Sequence, residues 1–221
     1  MSKQPRITLI HATPIAMEPI RLAFADAWPD ADVVNLLEDS LSPDRARSAG
    51  ITEALTARII ALTHYGRQIG SDAVLFTCSA FGRAIEAAAA TVDIPVLKPN
   101  EAMFEAAIRM GGRTAMLYTF PPARAGMEAE FREEAARIAP AAILESVLVE
   151  GAIDAVRAGD AGTHNRLVAE AAARLEGFDC IALAHFSTAR AVPAVRAATD
   201  IPVLSSPGAA IDKLKRLLGA A

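Results

Sequence analysis

The phrase Asp93-Ile-Pro-Val-Leu97 recurs as Asp200-Ile-Pro-Val-Leu204, an offset of 200 − 93 = 107 residues. No other feature limits the fold as much. Asp72 maps to Asp179 at the same offset, Arg6 to Arg113, and Cys78 to His185. Five identical residues inside a matching order of apolar runs and helical patterns point to a duplicated βαβ lobe. Two chance copies of a common strand phrase are the plainer alternative.

Each half alternates strand and helix, the pattern of parallel βαβ units. In the first half, strands are predicted at Ile7–His11, Asp32–Leu37, Ala73–Thr77 and Ile94–Leu97. Helices are predicted at about Pro14–Ala27, Ile51–Ile69, Ala80–Ala90 and Asn100–Met110, with Glu38–Gly50 a loop or short helix. Thr13 before Pro14 suits an N-cap with proline in the first turn, and Gly70 suits the residue after a helix end. In the second half, strands fall at about Thr114–Tyr118, Ala142–Val149, Cys180–Ala184 and Pro202–Leu204. Helices follow at Pro122–Ile138, Thr163–Leu175, Ala189–Ala198 and Pro207–Leu218. The predicted fold is α/β, with two pseudo-symmetric lobes, each a small parallel sheet flanked by helices, and an active-site cleft between them. Residues 1–98 form the first lobe, 99–206 the second, and the helix of residues 207–221 packs back on the first.

Composition agrees with covered parallel sheets: 52% of residues are hydrophobic and only 5% aromatic, so Ala, Val, Leu and Ile fill the core. A net charge of −4 gives no reason to expect nucleic acid or an anionic membrane as partner. The basic cluster Lys213-Leu-Lys215-Arg216 reads as the solvated face of the last helix. Met1-Ser-Lys-Gln-Pro5 leads straight into a strand, with no signal-peptide core and no run of membrane-spanning length. The chain therefore reads as cytoplasmic. Two cysteines make no disulfide framework. No H-E-x-x-H, paired C-x-x-C, P-loop, G-x-G-x-x-G or G-x-S-x-G motif occurs, so neither metal nor cofactor is expected.

Open parallel sheets bind ligands beyond the carboxyl ends of their strands. Cys78 and His185 both lie there, and a quasi-twofold relation lets them face one cleft. A thiol at a helix start is biased toward thiolate, and a cleft imidazole toward acid–base work near neutrality. Burial in a core is the ordinary fate of a free cysteine, which suits Cys180, and a lone histidine is commonly structural. Ser79, Ser187 and Thr188 follow these ends into helices, as capping or ligand-binding hydroxyls. Thr13 and Thr119 close the first strand of each lobe with the same double reading. Backbone amides near Ser79 and Ala80 are candidate anion binders. Asn100 and Glu101 are placed to reach the cleft or to cap a helix. His11 ends the first strand, while His64 and His164 read as surface residues.

Two repeated lobes with strand ends Thr77-Cys-Ser-Ala80 and Leu183-Ala-His-Phe-Ser187 resemble the aspartate/glutamate/hydantoin racemase superfamily over essentially the whole chain. That superfamily includes amino-acid and hydantoin racemases, maleate isomerases and arylmalonate decarboxylases, which act without cofactors next to a carboxylate or similar group. In its racemases two cysteines face the substrate carbon from opposite sides. Cys78 stands at the first position, whereas His185 stands at the second. The resemblance implies a racemase or epimerase with unlike bases, or a single-cysteine decarboxylase, lyase or cis–trans isomerase. Family members tend to carry Asn or Asp at the end of the first strand; His11-Ala12-Thr13 there makes an α-amino acid a less expected substrate. A small carboxylate substrate and a homodimer or higher oligomer are further expectations. From another class, a small-molecule binding protein without catalysis fits the same cleft.

Overall fold

Residues 4–220 are described by the computed structural model, in which two four-stranded parallel sheets follow one another along the chain. The first half runs β1 (Arg6–His11), α1 (Met17–Ala27), β2 (Asp32–Leu37), α2 (Leu41–Arg47), α3 (Glu53–Gln68), β3 (Ala73–Phe76), α4 (Gly82–Ala89), β4 (Val96–Leu97) and α5 (Glu101–Met110). The second runs β5 (Arg113–Tyr118), α6 (Arg124–Ile138), β6 (Ile143–Leu148), α7 (Ala152–Arg157), α8 (Ala161–Ala172), β7 (Cys180–Leu183), α9 (Val192–Arg196), β8 (Val203–Ser205) and α10 (Ser206–Leu218). Strand order is β2-β1-β3-β4 in one sheet and β6-β5-β7-β8 in the other. This is the predicted α/β fold of two lobes. The sequence before Gln4, on which the reading of the chain start partly rests, and Ala221 lie outside the described residues.

The offset of 107 carries β1 onto β5, β3 onto β7 and the start of α1 onto that of α6. Between β2 and β6 it becomes 143 − 32 = 111. The four extra residues are one further turn of α6, 15 residues against 11 in α1. The central strands β1, β3, β5 and β7 are buried apart from Arg6 and Arg113 at their starts. Helices cover both faces, so these strands read as apolar runs, whereas the edge strands β2 and β6 are part-exposed.

The same polar clamp closes the amino ends of both sheets. The Arg6 backbone N–H donates to Asp72 Oδ2 at 2.8 Å and its guanidinium to Asp32 at 2.7 Å. Arg113 repeats this with Asp179 at 2.6 Å and Glu145 at 3.2 Å. At Gly112 (φ +73°) a Cβ would lie 1.9 Å from the Asp179 carboxylate, so only glycine lets that clamp form.

Beyond β4 and β8 the helices exchange sheets. Met103, Phe104, Ala107 and Ile108 of α5 pack with Met116, Tyr118 and Ala182 of the second sheet. Ala210, Ile211 and Leu214 of α10 pack with Ile7, Leu9 and Ile20 around the first. An edge-on contact of Phe104 with Phe131 (centroids 5.6 Å apart) seals α5 against α6, of a kind that adds about 1 kcal/mol beyond area burial. Lys213 is not solvated as predicted: its ammonium bonds Glu101 at 2.7 Å and ties α10 to α5. Lys215 donates to the Ala27 carbonyl at 2.7 Å. His164 is a second correction, since it is fully buried on the inner face of α8 rather than at the surface.

Each central strand leads on the cleft side into a 3₁₀ turn before any α-helix: Pro14–Ala16, Ser79–Phe81, Pro121–Ala123 and Phe186–Ala191. The predicted helices at 14–27, 80–90, 122–138 and 189–198 therefore begin later than their patterns suggest, and the last is cut to five residues. Among the described residues no helix is long and apolar enough to cross a membrane.

Candidate functional site

Strand β3 ends at Phe76, and the chain continues extended through Cys78 (φ −117°, ψ 121°) into the turn Ser79–Phe81. The thiol thus stands at the carboxyl end of the first sheet, one wall of a small recess. Behind it, Thr77 Oγ1 lies 2.8 Å from His11 Nδ1, and His11 Nε2 lies 2.9 Å from Asn35 Oδ1. This chain, buried at Thr77 and His11 and reaching the surface at Asn35, braces the strand end.

Burial pushes the Cys78 thiol up to about 11, against the opposing pull of the Ala80 backbone N–H and the Arg45 guanidinium. The predicted bias toward thiolate is thus reversed. A short turn and a nearby cation do not outweigh the desolvation of a charge that opens only to a small recess. Cys78 is a thiol at neutral pH.

His185 occupies the equivalent end of β7, and its backbone differs. It is the one non-glycine residue among those described with a positive φ, at +71° with ψ 137°. Such a conformation costs of order 1–3 kcal/mol and persists only where surroundings enforce it. Its ring reaches across the lobes, with Nδ1 2.7 Å from Ser79 Oγ. The Phe120 N–H points to Nε2 at 3.4 Å. A backbone N–H can only donate, so Nε2 is the acceptor and Nδ1 carries the proton, which it donates to Ser79. Burial lowers the imidazole to about 4, well below the near-neutral range predicted. It is a neutral base, with its second nitrogen held by one long bond.

Thr13, Thr119 and Ser187 join Cys78, Ser79 and His185 around the recess. Thr119 Oγ1 is buried with no hydrogen-bond partner among the described residues. Thr13 makes no capping bond, so its predicted N-cap role is absent. Thr188 and Ala80 do not line the recess. The Thr188 hydroxyl turns back to the carbonyls of Ala184 and His185 (2.6 Å to the latter), and Ala80 acts through its backbone beneath Cys78. Asn100 also stays outside, accepting from Ser206 at 2.6 Å, and Glu101 pairs with Lys213. Cys180 is buried beside Thr114 Oγ1 at 3.4 Å, the core residue predicted.

Sequence reading missed Ile15, Ser42, Phe120, Ile153 and Arg157, which also line the recess. Ile153 and Arg157 sit on α7, a six-residue helix with too few turns to show a period. A local signal existed in Gly151, whose φ of +73° opens that helix. The Arg157 guanidinium lies over the Phe120 ring, 5.8 Å from its centroid, and brings the one charge to the recess lining. A thiol, a neutral imidazole, six hydroxyl-bearing side chains and a cation around an otherwise apolar recess can bind a small anion and exchange a proton with it. No group of three or more metal-ligating side chains occurs among the described residues.

The model of the Asp/Glu/Hydantoin racemase family matches residues 10–175. Among solved structures, the chain is similar to a glutamate racemase from Francisella tularensis in complex with D-glutamate (13% identity, 99% of this chain and 82% of that one, TM-score 0.76). It is similar to the Picrophilus torridus aspartate racemase (16%, 97% and 94%, 0.71). It is also similar to a variant of arylmalonate decarboxylase in a sulfate-associated form (20%, 98% and 94%, 0.65). At these identities the likeness speaks for the fold. No curated protein matches by sequence. The family match extends from the end of β1 through α8, across both sheets, and the chain belongs to the Asp/Glu/Hydantoin racemase family.

Proposed function

We propose that the chain is a cofactor-independent racemase or epimerase that moves a proton at the carbon next to the carboxylate of a small substrate. The carrying observation is that Cys78 and His185, 107 residues apart, open on one recess and are linked across it by the 2.7 Å contact of Ser79 with His185. Neutral His185 takes the proton through Nε2 and becomes imidazolium. The electron pair moves onto the carboxylate as an enediolate, which Thr13, Thr119 and Ser187 hydroxyls stabilise. The Cys78 thiol returns a proton to the opposite face and is left as thiolate. That state runs the reverse direction or resets by proton exchange with water. The substrate carboxylate enters past Arg157, while Ile15, Phe120 and Ile153 suit an apolar substituent.

One observation favours a second reading. Both ring nitrogens of His185 have partners, so Cys78 alone is the freely placed acid. A decarboxylase needs no more: carbon dioxide leaves a malonate-type substrate, and the thiol protonates the resulting enediolate.

Exchange at Cα in D2O, across hydroxy acids, amino acids, hydantoins and malonates, separates these readings. The racemase reading expects exchange with inversion, lost in both Cys78→Ala and His185→Ala. Carbon dioxide release that survives His185→Ala but not Cys78→Ala establishes the second. No turnover of any substrate, with Cys78 alkylated no faster than Cys180, leaves a binding protein.

A further inference from the structure

Two arginines from unrelated positions make the same pair of bonds on opposite sides of the cleft. Arg45, at the end of α2, donates through Nε to the Ala80 carbonyl at 3.2 Å and through an Nη to the Pro122 carbonyl at 3.2 Å. Arg190, in the turn after His185, donates through Nε to the Ser187 carbonyl at 3.1 Å and through an Nη to the Ile15 carbonyl at 3.2 Å. The four acceptors are two quasi-twofold pairs: 80 + 107 = 187 and 15 + 107 = 122. In both cases Nε holds the turn beside the catalytic candidate of its own lobe, and the Nη reaches the proline-initiated turn of the other lobe.

The donors themselves are not related by the repeat. Arg45 belongs to a helix of the first β2–β3 connection, whereas Arg190 lies within the second sheet's 3₁₀ turn. Each pair of carbonyls has thus acquired a guanidinium from a different direction. The planar fork of arginine spans two acceptors with fixed geometry, which lysine does not. Both side chains are part-buried, and bonds from a charged donor are stronger than neutral ones. Arg45 has a further bond to Ser48 O at 3.1 Å, which anchors its stem in the first lobe.

We propose that Arg45 and Arg190 are positioning residues, a matched pair of clasps that hold the lobes together across the cleft and so set the spacing of Cys78 and His185. Neither lines the recess between those two residues. They act by fixing the turns that carry Cys78 and His185 against the turns Pro14–Ala16 and Pro121–Ala123. This holds whether or not Cys78 is catalytic, since it concerns how far the lobes part.

The two cysteines supply the reporters. Cys78 opens on the cleft, while Cys180 is sealed in the second sheet and reacts only when the lobe unfolds. For Arg45→Gln and Arg190→Gln, alkylation of each thiol by a bulky maleimide and by iodoacetamide is followed by peptide mass spectrometry. Both reagents attack the thiolate, so their rate ratio reports access and cancels thiolate fraction. The ratio at Cys78 is expected to rise about fivefold in each variant, the factor for loss of one ordinary hydrogen bond across a closed interface, with Cys180 unlabelled. Arg45→Lys, which keeps the charge but reaches one carbonyl, should give a smaller rise and serves if Arg45→Gln does not fold. An unchanged ratio in both glutamine variants, or Cys180 labelled in step with Cys78, overturns the proposal. The outcome is independent of turnover, so an inactive protein with intact clasps counts against the proposed reaction alone.

Discussion

The turn after β3 and the turn after β7 occupy equivalent places in their sheets yet are built differently. The first is relaxed: Cys78 is extended, a three-residue turn follows, and an eight-residue helix continues from it. The second is strained: His185 has φ +71°, a six-residue 3₁₀ turn follows, and α9 is five residues long. Behind the first stand the hydrogen-bonded chain Asn35–His11–Thr77 and the carboxylate of Glu130, 3.9 Å from where a Cβ on Gly82 would sit. At the matching places of the second half are Ser146 (at the edge-strand offset of 111), Tyr118 and Ala184, and the last has no polar side chain, so the chain is not repeated. The polar support gathers on the thiol side and the backbone strain on the imidazole side. A duplicated frame can thus hold two unlike groups, because each end of the cleft is braced by its own surroundings.

The largest test of this comparison is chemical. Cys78→Ala should lower any turnover by about 10³-fold or more, as removal of a proton-transfer group does, measured by solvent deuterium incorporation. A loss equally deep in His185→Ala makes the two turns functional equals; a shallower one makes His185 a binder.

Next is the carboxylate behind the first turn. Burial raises Glu130 from its ordinary 4.5 to about 7, with Lys98 at 3.6 Å opposing. The folded state then holds the proton more tightly than the unfolded one. Stability is highest below 4.5 and falls as pH rises through about 7. Relative to Glu130→Gln, wild type should lose about 3 kcal/mol of unfolding free energy between about pH 4.5 and 8, read by denaturant unfolding. His185 works in the other sense. Lowered from 6.5 to about 4, it contributes stability above 6.5 that is lost as pH falls through about 4. Between 4.5 and 6.5 the two offset each other; above 6.5 the remaining Glu130 loss, about 1 kcal/mol, stands alone, and a flat wild-type profile there would remove the asymmetry.

The backbone contrast predicts opposite responses to glycine. His185→Gly should be more stable than His185→Ala by about 1–2 kcal/mol, since glycine adopts positive φ without a steric cost. At Cys78 the order should reverse by about 0.5–1 kcal/mol, because alanine suits an extended residue better. Equal order at both sites in urea unfolding would mean the two backbones are alike.

The smallest effect concerns Thr119, whose buried Oγ1 has no partner. Thr119→Val should leave stability unchanged or raise it by up to about 1 kcal/mol while weakening ligand binding about tenfold, as loss of one hydrogen bond to an anion predicts. Paired melting and KM measurements check both signs. Weakened folding with unchanged KM would show that the hydroxyl serves the fold.

Much of the frame was legible in the chain. The repeated Asp-Ile-Pro-Val-Leu marks β4 and β8, and the Arg6/Arg113 and Asp72/Asp179 pairs mark the clamped strand starts. Apolar runs locate β1, β3, β5 and β7 because parallel strands covered on both faces carry no alternation. Of the site, Cys78, Ser79, Thr13, Thr119, His185 and Ser187 were placed by following strands to their carboxyl ends. Ile153 and Arg157 escaped because a six-residue helix shows no periodicity. His164 was misread because a polar residue on a helix gives no sign of which neighbour will cover it.

The sequence by itself determined the doubled α/β architecture and which residues stand at the strand ends, since both follow from local periodicity and a fixed offset. Tertiary structure alone decided the two arginine clasps and the protonation states at the cleft. Those depend on burial and on partners 77 and 175 residues away along the chain. The cost of desolvating a thiolate or an imidazolium exists only once both lobes have closed around it.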